Sequence, residues 1–325
     1  MIEGLLRKFP NKYEFVCFGG AIKHESYEPV YVEPKAFQKD WLIFPVDGYG
    51  TADTVRSAIR THKPDILWFM TDPRFFGWLW EIENEIRSQM PMIYYHVWDN
   101  FPAPAFNGIY YRSTDEVVCI SKVTHEILKT VSPEVNSYYH PHAVDPKFFH
   151  KFNTPEEKKH IAEVRQRVLD SATEENRNPN KKIFFWNNRN ARRKQSGTII
   201  WWFKEFLDEV GQDKATLLMH TDPVDGHGQD LPHIIEYLGV NDGQVLLSTN
   251  KVDSMQLAAM YNAADFTVNI SDAEGFGLST LESLSCGTPI IVNMTGGLLG
   301  FSADGFITVP VTINAGRGER VKVDI

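Results

Sequence analysis

Residues 271–287 read Ser-Asp-Ala-Glu-Gly-Phe-Gly-Leu-Ser-Thr-Leu-Glu-Ser-Leu-Ser-Cys-Gly. The run Phe-Thr-Val-Asn-Ile at 266–270 leads into this stretch and has the composition of a buried strand. Gly275 and Gly277 then allow a tight turn and close approach of the backbone to a ligand. Leu278, Leu281 and Leu284 fall at helical spacing, and Gly287 with Pro289 stops that helix. The predicted unit is a strand, a glycine loop and a helix whose first N–H groups face the loop, a site suited to an anion. Glu274 in the loop and Glu282 about one turn inside the helix bracket it. An ordinary strand-to-helix turn with a solvated glutamate has the same local pattern, so the rest of the chain has to decide.

Outward from that stretch, apolar strands alternate with helical segments almost end to end, the pattern of parallel α/β sheets. In the first half strands are expected at 14–18, 41–46, 65–70, 92–96, 116–120 and 137–140, with helices at 51–62, 73–89 and 121–131. Thr51 and Ser121 stand where N-caps belong. Residues 151–182 are polar and charge-rich, with a surface helix expected at 155–171, and read as a connection between domains. A second alternation follows: strand 183–186, helix 196–210, strand 215–220, helix 231–238, strand 244–247, helix 254–263, the opening unit, and strand 289–293. Asp253 and Gln256 form a capping box for the 254–263 helix. The division expected is a first Rossmann-like domain at 1–150, a linker at 151–181 and a second Rossmann-like domain at 182–325. Two such sheets in sequence imply a ligand at the carboxyl ends of their strands, in a cleft between the domains.

Composition narrows the classes. At 325 residues the chain is long enough for two cores. No apolar run approaches the ~18 residues of a membrane span, and the first ten residues lack the apolar core of a signal peptide. Cys17, Cys119 and Cys286 are scattered without metal-type spacing and fit a reducing, cytoplasmic setting. A net charge of -9 argues against nucleic acid as a partner.

A second loop carries chemistry. Trp186-Asn-Asn-Arg-Asn-Ala-Arg-Arg-Lys-Gln follows the first strand of the second half and precedes its first helix. That is where such sheets place ligand phosphates. Arg189 brings a forked donor and Lys194 a point charge to one loop, a combination suited to a diphosphate. Arg192 and Arg193 read as a solvated basic turn. Asp222 and Asp225 read as parts of a surface loop.

With these residues in place, the sequence resembles the GT-B glycosyltransferases of family 4. The resemblance rests on Arg189-x4-Lys194, Glu274-Gly-Phe-Gly-Leu-x3-Glu282, Gly287-Thr-Pro-Ile-Ile and Thr295-Gly-Gly. His140-Pro-His-Ala-Val-Asp-Pro-Lys-Phe-Phe looks like the same family's segment at the entrance to the linker, with Ala143 in place of the usual glycine. The similarity runs from about residue 91 to 297. It implies a retaining enzyme that transfers a sugar from a nucleotide-diphosphate sugar to an acceptor hydroxyl, the first domain lying on the acceptor side.

The resemblance also assigns roles. Arg189 and Lys194 hold the donor diphosphate and stabilise the charge that grows as the glycosidic bond breaks. Glu274 binds hydroxyls of the donor sugar and Glu282 the ribose. Backbone N–H groups of Phe276, Gly277 and Leu278, with Gly275 shaping the turn, complete the phosphate cradle. The base rests near 250–253. His96, at the end of an aromatic strand, contacts the donor sugar, with Asp99 next in order. His140 and His142 belong to the hinge, and the Trp201-Trp202-Phe203 patch to a helix core. Phe75, Phe76, Trp78 and Trp80 run round all sides of their helix, and burial is the expectation for them over an acceptor surface. No metal or other cofactor is expected. The acceptor, whether glycan, lipid or small molecule, is unspecified, and peripheral membrane contact is left open.

Two departures bear on activity. The family opens with a strand and a Gly-Gly loop, whereas this chain opens in a helix at 2–9, with Gly19-Gly20 after the first strand as a displaced counterpart. The family also adds helices after Thr295-Gly-Gly, where this chain has an apolar run at 306–313 and a basic turn at 314–320. The expected fold is therefore GT-B, with the first strand and the C-terminal helices in question. The alternatives carried are a non-catalytic nucleotide-sugar-binding module or truncated remnant, and a GT-B sugar-nucleotide epimerase.

Overall fold

A computed structural model of the chain describes residues 1–20, 22–99 and 102–301. The apolar run at 306–313 and the turn at 314–320 lie outside the described residues. The chain packs as two compact units. The first comprises Met1–Trp98, Ala103–Cys119 and Ile127–Tyr138; the second takes Asp99–Pro102, Ile120–Glu126 and the chain from Tyr139. The segments at 139–150 and 151–181, read from sequence as domain end and linker, thus cluster with the second unit.

In the first unit β1 (Phe15–Gly19) runs parallel to β3 (Trp41–Pro45), and β2 (Val30–Tyr31) pairs antiparallel with β3. This antiparallel edge was not expected from sequence. Two exposed residues are too few to show an alternation. A second sheet has the order β4 (Leu67–Met70), β5 (Met92–His96), β6 (Glu116–Cys119), β7 (Ser137–Tyr139). Its core contains Phe69, Met92, Tyr94, Val117 and Cys119, packed with Val55 and Leu128 from helices.

The single helix expected at 73–89 is broken into a 3-10 turn, Pro73–Phe76, and helices Gly77–Glu81 and Glu83–Arg87. Phe76 (φ -105, ψ 37) and Ile82 (φ -114, ψ 11) leave helical geometry. The breaks let Phe76, Leu79, Ile82 and Ile86 all reach the core. Phe75 is left 52% exposed, stacked on Tyr49 with ring centroids 4.7 Å apart. Thr51 accepts from the Thr54 N–H, and Ser121 from the Thr124 N–H, so both expected caps are present.

The second unit is one five-stranded parallel sheet built from β8 (Lys182–Asn187), β9 (Ala215–His220), β10 (Val245–Ser248), β11 (Phe266–Asn269) and β12 (Ile290–Val292). Its order is β10-β9-β8-β11-β12. Both faces are covered. Phe184 and Trp186 of β8 pack with Ile200, Phe203 and Leu207 of helix Ser196–Val210, while Ile183 and Phe185 face Phe149, Phe152 and Tyr261. Burying each such side chain contributes about 1.5–3 kcal/mol. Trp201 does not join that core: it is 50% exposed, its indole N–H donating to Glu205.

Helix Pro155–Asp170 starts at a capping box of Thr154 and Glu157, and helix Ser254–Ala263 at the expected box of Asp253 and Gln256. The first of these is tied to the sheet through Asp265. Its carboxylate accepts from Arg165 at 2.9 Å, from Lys182 at 3.3 Å and from the Ile183 N–H at 2.9 Å. Among the described residues no helix is long and apolar enough to cross a membrane.

Candidate functional site

The strand order decides where the two loops meet. From β8 the chain moves outward through β9 and β10, then returns to place β11 on the other side of β8. The loops leaving β8 and β11 therefore diverge from adjacent carboxyl ends, the switch point at which open α/β sheets bind ligands. Lys194 comes from the first loop and Glu274 from the second, 80 residues apart in sequence.

Their side chains form a buried ion pair, Lys194 Nζ to Glu274 Oε1, at 10% and 8% side-chain exposure. The same Oε1 accepts from Asn269 Nδ2 at 3.1 Å and Ser271 Oγ at 3.0 Å. Burial pulls the Lys194 ammonium below its ordinary pKa, although Glu274 acts in the opposite direction. The loops are also stitched by their main chains. The Asp272 N–H donates to Arg193 O at 2.8 Å, and Arg193 Nη1 donates to Ala273 O at 2.9 Å.

Glycines make the second loop possible. Gly277 has φ +92, and a Cβ there would stand 2.5 Å from Leu298 Cδ2. At Gly296 a Cβ would lie 2.1 Å from Glu274 O, and at Gly297 2.4 Å from Gly275 O. The Thr295-Gly-Gly turn is thus a backbone lid on the Glu274 loop, held by Gly297 N–H to Glu274 O at 2.7 Å. Gly287 has φ +77 and ends helix Leu278–Ser285, as expected.

The buried face of that helix differs from the expected leucine stripe. Leu278 is 43% exposed, and the fully buried residues are Thr280 and Ser283. Small side chains let the helix lie close to β11, where Ser283 Oγ donates to Thr267 Oγ1 at 2.8 Å. Glu282 is part-buried; Tyr261 Oη donates to its Oε2 at 2.7 Å, and burial raises the carboxyl pKa.

Arg189 and Lys194 share a loop but not a partner. Arg189 is 62% exposed and forks onto Asp225 through Nε at 2.6 Å and Nη2 at 3.1 Å. This pair holds Asp225 down at about 2. The 222–230 loop lies at the surface, as expected for Asp222 and Asp225, and none of its residues is buried. In the structure it clasps the first loop: buried Asn190 donates to Gln229 O at 2.6 Å and accepts from Ser196 Oγ at 2.7 Å. Gly228 lies so close that a Cβ would meet Asn190 O at 2.2 Å.

Arg193, set aside as solvated, faces the site instead. Its Nη1 is 3.7 Å from Glu274 Oε2 and its Nε is 3.4 Å from Asp99 Oδ2. Asp99, the candidate next in order after His96, is thereby brought to Arg193 of the first loop. Two cationic neighbours before a lysine carry no sequence signal that separates the inward one from the outward one. Phe276 is buried, and the His142 ring stands edge-on to it at 5.1 Å, with burial lowering the histidine pKa. Asp253 of the 250–253 loop caps its helix.

His96 ends β5 in the first unit and is fully buried. Its Nε2 is 2.9 Å from Tyr111 Oη and its Nδ1 3.7 Å from Cys119 Sγ. Gly19 ends β1, and Gly20 packs on a neighbouring turn, where a Cβ would meet Gly48 O at 2.3 Å.

Residues 172–315 match the sequence profile of the family described as Glycosyl transferases group 1. The second unit carries a group 1 glycosyltransferase domain. The D-inositol 3-phosphate glycosyltransferase 2 of Catenulispora acidiphila is 40% identical over 75 residues, which are 23% of this chain and 17% of that protein. The match to this relative thus spans about a sixth of its length. Sucrose-phosphate synthase from Thermosynechococcus elongatus aligns over 91% of this chain and 75% of its own, with a TM-score of 0.68 at 15% identity. An Anabaena protein solved in complex with UDP-glucose aligns over 85% of this chain and 74% of its own, with a TM-score of 0.63 at 15% identity. These likenesses give the fold: GT-B, with two Rossmann-like units.

Proposed function

We propose that the chain moves a sugar from a nucleoside diphosphate sugar to an acceptor hydroxyl with retention, in the manner of family 4 enzymes. The observation that carries this reading is the Lys194–Glu274 pair at the switch point between β8 and β11. It sets a buried cation and a carboxylate beside the start of helix Leu278–Ser285, where backbone N–H groups favour phosphate.

In this reading Lys194 meets the diphosphate, and Arg189 exchanges Asp225 for it. The main-chain N–H groups of Phe276, Gly277 and Leu278 close the cradle around it, with Gly275 in the turn. As the bond between the anomeric carbon and the phosphate oxygen breaks, these cations stabilise the departing charge, so no metal is required for that step. The acceptor oxygen bonds to the anomeric carbon on the face the phosphate leaves, and its proton passes to a phosphate oxygen. Glu274 orients the sugar and Glu282 receives the ribose hydroxyls. His96, fully buried in the first unit with its ring nitrogens beside Tyr111 Oη and Cys119 Sγ, is left out of this reading. Uridine is the first base to try, because a structural neighbour was solved with UDP-glucose.

The test is a panel of UDP, GDP and ADP sugars followed by calorimetry and by nucleotide release. Binding of one donor with slow hydrolysis, lost in Glu274→Ala, supports the reading. Tight binding without turnover in the presence of an acceptor mixture overturns it in favour of a non-catalytic binding module.

A further inference from the structure

We infer that Arg193 and the Oε2 atom of Glu274 together read a vicinal diol on the donor sugar, making Arg193 a specificity residue of the site. This rests on the donor site proposed above.

The two oxygens of Glu274 are unequally used. Oε1 takes Lys194, Asn269 and Ser271, three of the roughly four hydrogen bonds a carboxylate can accept. Among the described residues the partner at Oε2 is Arg193 Nη1, at 3.7 Å. That is an ion-pair distance, too long for a hydrogen bond. Oε2 therefore keeps acceptor capacity. Arg193 has five N–H donors, and one of its nitrogens is committed to Ala273 O.

An acceptor oxygen and a fixed donor fork side by side match two neighbouring ring hydroxyls. One hydroxyl donates to Oε2, and the next accepts from the guanidinium. Arg193 can be reached, since its side chain is 45% exposed, and it is held in place by its own carbonyl on the Asp272 N–H.

The charges say which part of the donor belongs here. Among the described residues Arg193 has ion-pair contacts with two carboxylates, Asp99 and Glu274, whereas Lys194 pairs with Glu274 alone. The setting of Arg193 is therefore the more repulsive of the two to an anion. A neutral diol suits that setting, and the diphosphate does not. The cation beside the donor phosphates is Lys194; Arg193 faces the sugar.

The test uses the full chain and calorimetric titration with UDP, UDP-glucose, and UDP-glucose lacking the 3- or the 4-hydroxyl, for the unaltered protein and for Arg193→Ala and Arg193→Lys. Arg193→Ala should keep its UDP affinity within about twofold and lose about tenfold for UDP-glucose, the effect of one charge-assisted hydrogen bond. Of the two deoxy donors, the one lacking the hydroxyl that meets the guanidinium should lose nothing further in Arg193→Ala, whereas the one lacking the hydroxyl that meets Oε2 should still lose affinity. Arg193→Lys should recover part of the loss, because it keeps the charge but not the fork. Equal losses for UDP-glucose and both deoxy donors, or a matching fall in UDP affinity, overturn the role of Arg193 while leaving the donor site standing. Failure of the unaltered protein to bind any donor of the UDP, GDP and ADP panel overturns both; if another donor of the panel binds, that donor and its deoxy forms take the place of UDP-glucose in the test.

Discussion

The Tyr261 hydroxyl donates to Glu282 Oε2 at 2.7 Å while accepting from Asn187 Nδ2 at 2.9 Å. Three elements meet in that chain: the end of β8, helix Ser254–Ala263 and helix Leu278–Ser285. It fixes the rotamer of Glu282, the carboxylate assigned to the ribose, from a tyrosine that is itself fully buried. Tyr261→Phe removes the donor and strands the Asn187 amide. The expected cost is about 1 kcal/mol of stability and a severalfold weaker affinity for a nucleoside diphosphate, read by thermal denaturation and by calorimetry. Unchanged affinity would detach Glu282 from nucleotide binding.

Lys194→Ala should weaken UDP binding by about 1–3 kcal/mol, the range for a charge-assisted contact. It also leaves Glu274 buried without its cation, so the unfolding midpoint should fall. The double variant Lys194→Ala/Glu274→Ala should regain part of the midpoint and none of the affinity. The pH dependence follows from the lowered pKa of Lys194. The diphosphate needs the ammonium form, so affinity should be full below that pKa and decline as pH rises through it, before an ordinary lysine would titrate. The folded state binds this proton less tightly than the unfolded chain, so the contribution of Lys194 to stability rises across the same window. Affinity titrations between neutral and alkaline pH check the first, and denaturation the second.

Asp225 competes for Arg189. If the arginine exchanges that carboxylate for a diphosphate, Asp225→Asn should strengthen UDP binding about two- to fivefold at low ionic strength, a surface charge effect that salt screens. Arg189→Ala should weaken it. A loss of affinity in Asp225→Asn would mean that the carboxylate positions the arginine instead. The pair also has an acid limit. Asp225 is held at about 2, so its contribution is full above the ordinary aspartate range and is lost as pH falls from about 3.8 towards 2.

Gly277→Ala should damage the site from the backbone. The residue would have to hold φ +92 with its Cβ 2.5 Å from Leu298 Cδ2. The strain alone costs about 1–3 kcal/mol. A drop in the unfolding midpoint with UDP affinity reduced further than stability explains is the expected result. Gly226→Ala, at a position where a Cβ meets nothing within 4 Å, serves as the neutral control.

Much of this was legible along the chain because the signals are local. The β-branched run of β11, the glycines of its loop, and the Gly287 stop are written in consecutive residues, and they produced the strand, loop and helix observed. The Asp253–Gln256 box, likewise, spans one helical turn. Apolar spacing was a weaker guide. It put Leu278 inward, whereas the close approach of the helix to β11 selected Thr280 and Ser283.

What the sequence determined by itself was the alternation of strands and helices, the position of the two loops at strand ends, and the residue types needed for an anion. The tertiary structure decided which groups touch. Lys194 meets Glu274 because the crossover from β10 returns β11 to the side of β8, and no residue between 194 and 274 encodes that adjacency locally. It arises from hydrogen bonding and side-chain packing between strands distant in sequence. For the same reason Arg189 is claimed by Asp225 from the loop after β9, while Arg193 turns to Glu274 from the loop after β11. Two arginines four residues apart look alike in the sequence, and the strand on either side of β8 gives each its partner.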